Sequence, residues 1–249
     1  MKIICIGRNY ADHAKEMKAA LPTEPLYFLK PDTALLREGD FYYPTFTKDL
    51  HFECELVVRI EKVGKHISPD FAHKYYTHFT LGIDFTARDI QQQCKENGLP
   101  WEKAKGFDHS APLSNTWIEK SEVNLDDAEF KLFQNGELRQ IGRPKDFIFS
   151  IDTIIAYVSQ FVTLKTGDLI FTGTPAGVGP VQIGDVLQAE LNGQQLLELK
   201  ISWLFFDDQR VLPICQTQKI GAHCQSRKIE CVAFADFIER IDNLSRQRQ

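Results

Sequence analysis

The chain has 249 residues, of which 43% are hydrophobic, and a formal net charge of −5 at pH 7. That length accommodates one large domain, or one domain with an appendage, around a substantial core. The acidic balance and the lack of a long basic stripe give no electrostatic reason to expect nucleic acid, and no stretch reads as a membrane span.

The opening residues 1–8 contain too short an apolar run for a signal peptide and read instead as an edge-to-core strand. Six cysteines (Cys5, Cys54, Cys94, Cys215, Cys224 and Cys231) contain no C-x-x-C pair, so reduced thiols in a cytoplasmic protein are expected. A helix is predicted over residues 10–20, with Asn9 as its N-cap and Asp12 in a capping-box-like position. His13 and Glu16, three residues apart, share one face of that helix. A carboxylate beside an imidazole fixes its tautomer and raises its basicity, which suits a general base acting on water. Spacing alone favours the plainer reading, a solvated charged face.

Pro22 and Pro25 break this helix, and residues 26–29 read as a strand ending at Lys30-Pro31. The next strand, residues 51–60, places Phe52, Cys54, Leu56, Val58 and Ile60 on one face and Glu53 and Glu55 together on the other. Two neighbouring carboxylates in an apolar strand repel each other and resist desolvation unless a cation lies between them. A hard divalent ion with oxygen ligands meets that need. A solvated strand face is the alternative for an isolated Glu-x-Glu.

Ser68-Pro69-Asp70 starts a predicted helix through about Tyr76, and residues 79–83 form a strand leading into Asp84. Thr86 then reads as the N-cap of a helix, with Asp89 as capping-box partner, Gly98 as its stop and Pro100 just beyond. Asp84, at a strand end before a capped helix, is placed either to complete a site or to bond local amides in a turn. Arg88 and Gln91 share a face of this helix, and Lys105 follows it; lone cations of this kind are usually surface charges.

Asn135-Gly136 and Asn192-Gly193 are predicted hairpin turns, the second within residues 186–201. Between them, a helix opening at Ser150-Ile151-Asp152 presents Ile154, Ile155, Val158 and Phe161 as a buried stripe. An apolar strand at residues 169–171 runs into Thr172-Gly173-Thr174-Pro175-Ala176-Gly177-Val178-Gly179, whose amides can approach an anion closely. The spacing fits neither a P-loop nor a dinucleotide fingerprint. Beyond residue 201 the chain changes character. An amphipathic helix is predicted over residues 229–244, and Cys215, His223, Cys224 and Cys231 lack the paired spacing of a zinc site. An accessory segment packing on the domain or on a partner subunit is the better reading.

Gly7-Arg8-Asn9-Tyr10-Ala11-Asp12-His13, Glu53-Cys54-Glu55, Asp84-Phe85-Thr86-Ala87-Arg88-Asp89, Gly98-Leu99-Pro100-Trp101 and Thr172-Gly173-Thr174-Pro175 occur in one order. This pattern resembles the fumarylacetoacetate hydrolase family, and most closely its acylpyruvase-like branch. The resemblance spans roughly residues 1–201, the expected catalytic domain, and leaves 202–249 as an extension of unknown role. It implies a mainly β, α+β fold, a mixed β-sandwich roll with short helices, assembled as a homodimer. It further implies one divalent metal per subunit, Mg²⁺ with Mn²⁺ or Ca²⁺ as alternatives, on Glu53, Glu55 and Asp84. The family's water-activating pair falls on His13 and Glu16, in a segment that orders as a lid in relatives. Its substrate-contacting arginine, glutamine and lysine fall on Arg88, Gln91 and the catalytic Lys105, and its loop threonine on Thr174.

The activity this implies is hydrolysis of a carbon–carbon bond in acylpyruvate-type β-diketo acids. Oxaloacetate decarboxylation or tautomerisation, and isomerisation of 2-hydroxyhepta-2,4-diene-1,7-dioate, use the same metal–enolate logic. A metal-stabilised binding domain without turnover is the competing class.

Overall fold

In the computed structural model, which describes residues 1–17, 20–207 and 210–213 and their side chains up to residue 203, strands predominate and the helices are short. A six-stranded sheet runs in the order Ile118–Glu119, Tyr76–Ile83, Cys54–Ile60, Leu169–Phe171, Ile3–Gly7, Leu26–Lys30. Within it Ile3–Gly7 is parallel to Leu169–Phe171 and antiparallel to Leu26–Lys30. The opening strand is therefore interior on both sides rather than an edge. A five-stranded sheet runs Glu137–Gly142, Phe130–Gln134, Val186–Leu191, Gln194–Ser202, Phe41–Tyr42. Both predicted Asn-Gly turns are present there, with φ of +55° and +81° at Asn135-Gly136 and +51° and +81° at Asn192-Gly193. Positive φ at both central residues matches the right-handed strand twist, and Asn and Gly tolerate it best.

The core follows from the pleat. Leu56, Val58 and Ile60 join Phe79, Leu81 and Ile83 in a cluster that continues into Phe130, Leu132, Leu187, Ala189 and Leu199 of the other sheet. Ile3, Cys5, Val57, Leu169 and Phe171, from the intervening positions, form a second cluster on the opposite face. The strands of the larger sheet are thus covered on both faces, and a carboxylate among them is largely withdrawn from bulk water.

Among the described residues, five α-helices border these sheets: α1 Ala11–Glu16, α2 Pro69–Ala72, α3 Arg88–Asn97, α4 Glu102–Lys105 and α5 Ile151–Phe161. The predicted signals set some of their ends and not others. Ser150 caps α5 by accepting from the Thr153 amide, and Gly98 (φ +64°) stops α3. Phe161, by contrast, is 55% exposed and stacks near Tyr27 and Tyr157 rather than entering the core. Helix α2 ends at Ala72 because Tyr76 opens a strand. Thr86 is not a cap: Thr86-Ala87 pairs as a short strand with Leu50-His51, and α3 begins at Arg88 with no side-chain cap. Asp89 instead accepts from Thr47 Oγ1 at 2.6 Å and from the Lys48 amide. Cys215, His223, Cys224 and Cys231 and the helix predicted over 229–244 lie outside the described residues.

Asn9 is the most informative departure. Tyr10, not Asn9, occupies the N-cap of α1, and the buried Asn9 amide clamps two distant segments. Its Nδ2 donates to the carbonyls of Phe149 (3.1 Å) and Thr172 (2.8 Å), while Oδ1 accepts from the Phe149 amide at 2.8 Å. Gly173, at φ +102°, permits this approach, since a Cβ there would lie 2.7 Å from Asn9 Cβ. An Asn9→Asp substitution keeps the shape but removes both donors and sets a carboxylate against two carbonyls. It is expected to cost about 2–4 kcal/mol, read as a lowered urea midpoint. An unchanged midpoint would show that the clamp is not holding this turn.

Candidate metal centre

Strand register assembles the three acidic residues. Cys54 pairs with Ile83 and Glu55 with Gly82, so Glu53 and Asp84 meet just past the ends of their strands. The Asp84 amide donates to the Glu53 carbonyl at 2.8 Å. Glu53 itself interrupts the ladder between Leu50–Phe52 and Cys54–Ile60, which divides the single predicted strand in two. Glu53, Glu55 and Asp84 are all buried, and one oxygen from each lies within 4.8 Å of the others. They line one side of a cavity of about 370 Å³ that also contains His13, Arg88, Gln91, Lys105 and Thr174.

Among the described residues, three cations pack against these carboxylates. Lys105, the last residue of α4, donates to Glu53 Oε2 at 2.7 Å and to Asp84 Oδ2 at 2.8 Å. Arg88, the first residue of α3, donates from Nη2 to Glu53 Oε1 at 2.7 Å and from Nη1 to Gln91 Oε1 at 2.9 Å. Lys30 Nζ lies 2.7 Å from Asp84 Oδ1, yet it directs its hydrogen bonds to the carbonyls of Ser110 (2.8 Å) and Phe85 (3.3 Å). Asp84 Oδ1 is therefore paired by charge but accepts no hydrogen bond. Burial opposes ionisation of Glu53, but Lys105, Arg88 and His13 together outweigh it and hold the carboxyl below its usual range. Burial likewise disfavours the Lys105 ammonium, and Asp84 and Glu53 reverse this, raising its pKa.

Glu55 differs. Its hydrogen bond comes from the Gly173 amide to Oε2 at 2.6 Å, and among the described residues no cation pairs with it. Burial first, then Asp84 and Glu53, push its carboxyl well above the usual range. A buried carboxylate of this kind is stable as an anion only with a cation beside it. A buried set of three carboxylate donors, one without a cationic partner among the described residues and one with an oxygen that accepts no hydrogen bond, fits a divalent ion bound through oxygen.

His13, on α1, lines the same cavity, with Glu16 of the same helix behind it. His13 Nδ1 lies 3.1 Å from Glu16 Oε2, and Glu16 in turn accepts from the Gly177 amide at 3.1 and 3.3 Å. A carboxylate acceptor at Nδ1 assigns the ring proton there and leaves Nε2 as the basic atom. The glycine-rich loop does hold carboxylates, but those of Glu55 and Glu16 rather than a substrate's at these two amides. Thr174 Oγ1 donates to the Cys54 carbonyl and accepts from Gln140 Nε2, both at 2.8 Å.

Of the site residues expected from the sequence, His13, Glu53, Glu55, Asp84, Arg88, Gln91, Lys105 and Thr174 thus line one cavity, and Glu16 joins them through His13. Lys30 and Gln140 were not singled out. A lysine before a proline at a strand end resembles a surface charge, and only the fold shows that it is buried. Gln140 lies in a hairpin strand that carried no chemical signal, yet it links Thr174, Pro175 and the Cys54 amide.

A mainly β roll with a buried three-carboxylate centre, flanked by lysines, an arginine and a His–Glu pair, defines a class of metal-assisted enzymes. This chain belongs to the fumarylacetoacetate hydrolase family: the profile of the fumarylacetoacetate (FAA) hydrolase C-terminal domain matches residues 2–202. The mitochondrial oxaloacetate tautomerase of Bos taurus is 46% identical over 202 residues, covering 80% of this chain and 90% of the relative. An oxaloacetate tautomerase of Escherichia coli (strain K12) is 43% identical over 199 residues, covering 78% and 90%. Among solved structures, a fumarylpyruvate hydrolase of Pseudomonas aeruginosa in complex with Mn²⁺ and pyruvate aligns with a TM-score of 0.77 and 36% identity, over 82% of this chain and 90% of that one. No described helix is long and apolar enough to cross a membrane.

Proposed function

We propose that the chain acts on 2-keto acids through an enolate formed beside Glu53, Glu55 and Asp84, and that its reaction is keto–enol tautomerisation of oxaloacetate. The observation that carries this reading is the single cavity in which His13, oriented by Glu16, faces a buried carboxylate–cation cluster. The tautomerases at 43–46% identity, matched over 90% of their length, support the choice of reaction.

Glu53, Glu55 and Asp84 would hold a divalent ion, for which Mg²⁺ or Mn²⁺ is suited by the all-carboxylate donors. When bound, that ion supplies Lewis-acid stabilisation of negative charge on the keto and carboxylate oxygens. The chain's own residues do the rest. His13 Nε2 takes the proton from the carbon next to the keto group and returns it to the oxygen, giving the enol. Glu16 keeps the ring proton on Nδ1 throughout, and the Gly177 amide keeps Glu16 in place. The Lys105 ammonium and the Arg88–Gln91 pair supply positive charge and a donor against the developing enolate.

Acylpyruvate hydrolysis is the second reading. It is favoured by the His13–Glu16 pair, which suits activation of a water, and by the likeness to a fumarylpyruvate hydrolase. The two separate in one assay on Mg²⁺-loaded protein, in which the enol absorbance of oxaloacetate and pyruvate release from acetylpyruvate are followed in parallel. Accelerated loss of the oxaloacetate enol, abolished by chelation, is the expected result. Stoichiometric pyruvate and acetate without that acceleration would move the assignment to hydrolysis, and no turnover of either would sink both. His13→Ala is expected to slow turnover by about 10²–10⁴-fold while keeping metal affinity nearly intact. Loss of metal binding in that variant would mean that His13 belongs to the metal centre instead.

A further inference from the structure

We propose that Arg8 and Lys95 form a second anion subsite at the mouth of this cavity, built for the distal carboxylate of a 2-keto dicarboxylate. The proposal rests on the 2-keto-acid reading and names the two residues that select among such acids.

The cavity floor is balanced by charge. Lys30, Lys105 and Arg88 stand against Glu53, Glu55 and Asp84, so a divalent ion makes the floor net positive. Arg8 and Lys95 line the same cavity. Among the described residues neither side chain forms a hydrogen bond or an ion pair, whereas Lys30, Arg88 and Lys105 do. Their chemistry is thus surplus to the fold. The Lys95 ammonium stands over the Trp101 ring, 5.8 Å from its centroid, a contact that leaves its N–H donors unpaired. Partial desolvation, followed by repulsion from Arg88 and Arg8, lowers the pKa of Lys95. Cations that repel one another around an open volume favour an anion between them.

The backbone points the same way. Arg8 adopts φ +59°, a left-handed conformation in which an L side chain is strained and glycine would be at ease. The conformation is imposed by its neighbour, because the buried Asn9 clamp fixes the turn that follows Ile3–Gly7. An arginine held against its backbone preference, at a position lining the substrate cavity, has a role that a glycine could not fill.

The test compares ligands of equal carbon-chain length that differ only in the terminal group. Binding to Mg²⁺-loaded protein is measured by competition for oxaloacetate against 2-oxobutanoate, and for 2-oxoglutarate against 2-oxopentanoate. In the wild type at least one dicarboxylate is expected to bind about tenfold more tightly than the monocarboxylate of equal chain length, the scale of charged hydrogen bonds. Arg8→Gln, Lys95→Gln and the double variant are expected to erase that preference and to leave the monocarboxylates within about twofold, which also serves as the folding and metal control. Equal affinities in the wild type, or equal weakening of both classes in the double variant, would overturn the subsite. Failure of every 2-keto acid to bind the metal-loaded wild type would overturn the underlying reading and the subsite with it.

Discussion

In a Glu55→Gln variant, divalent-metal affinity and turnover are expected to fall by more than about a hundredfold, a larger loss than outer-shell changes cause, while the metal-free protein becomes no less stable. Glu55 is the acid of the centre without a cationic partner among the described residues, and it is 1% exposed. Glutamine retains an oxygen for the Gly173 amide and carries no charge that must be desolvated. Removing an acid that must be protonated or desolvated on folding is worth about 1–2 kcal/mol at neutral pH on the scale of other buried ionic groups. The direction of the pKa fixes the pH dependence. Because the folded carboxyl is raised, the metal-free fold holds a proton that the unfolded chain releases, and its stability falls as pH rises from the ordinary carboxylate range through the folded pKa. The variant lacks that slope. Metal binding to the wild type must displace the proton, so affinity rises with pH over the same window. Thermal melts with and without Mg²⁺, and calorimetry in buffers of different ionisation heat, read both effects. A variant that binds metal like the wild type, or whose metal-free melt drops by several degrees, would remove Glu55 from the centre.

The acidic pair on residues 51–60 was legible because strand alternation is local: burial of Phe52, Cys54 and Leu56 forces Glu53 and Glu55 to the other face. Asp84 was legible as a strand end but not as their neighbour, since that depends on the register pairing Cys54 with Ile83. Hairpin turns were also readable, because Asn-Gly is a backbone requirement met by two adjacent residues. Capping signals were less reliable. Asn9, Thr86 and Asp89 have side chains suited to caps, and in each case a partner distant in sequence took those side chains or that backbone instead. Asn9 bonds Phe149 and Thr172, Thr86 pairs with His51, and Asp89 bonds Thr47. The glycine loop misled for a related reason. Its amides suit an anion, and two of the anions were already in the chain. Lys30 was beyond reach because nothing local separates a buried lysine from an exposed one.

A Lys105→Met substitution is expected to destabilise the metal-free protein by about 3–5 kcal/mol, the usual cost of breaking a buried pair by removing one partner. Lys105 is itself buried and bridges Glu53 and Asp84, so its loss leaves two carboxylates less compensated while methionine fills most of its volume. The raised pKa of the ammonium means that its contribution is present at neutral pH and is lost only as pH rises through that raised value, above the ordinary lysine range. Metal should then compensate. A divalent ion restores positive charge among the same oxygens, so the rise in melting temperature on adding Mg²⁺ should be larger in the variant than in the wild type. Turnover should not recover, since the cation that faces the developing enolate is gone, and a loss of about 10²–10³-fold is expected. These two responses separate structural from catalytic service. Melting like the wild type without metal would show that Lys105 is not the counter-ion of the centre. Full activity once metal has restored stability would confine it to that structural role.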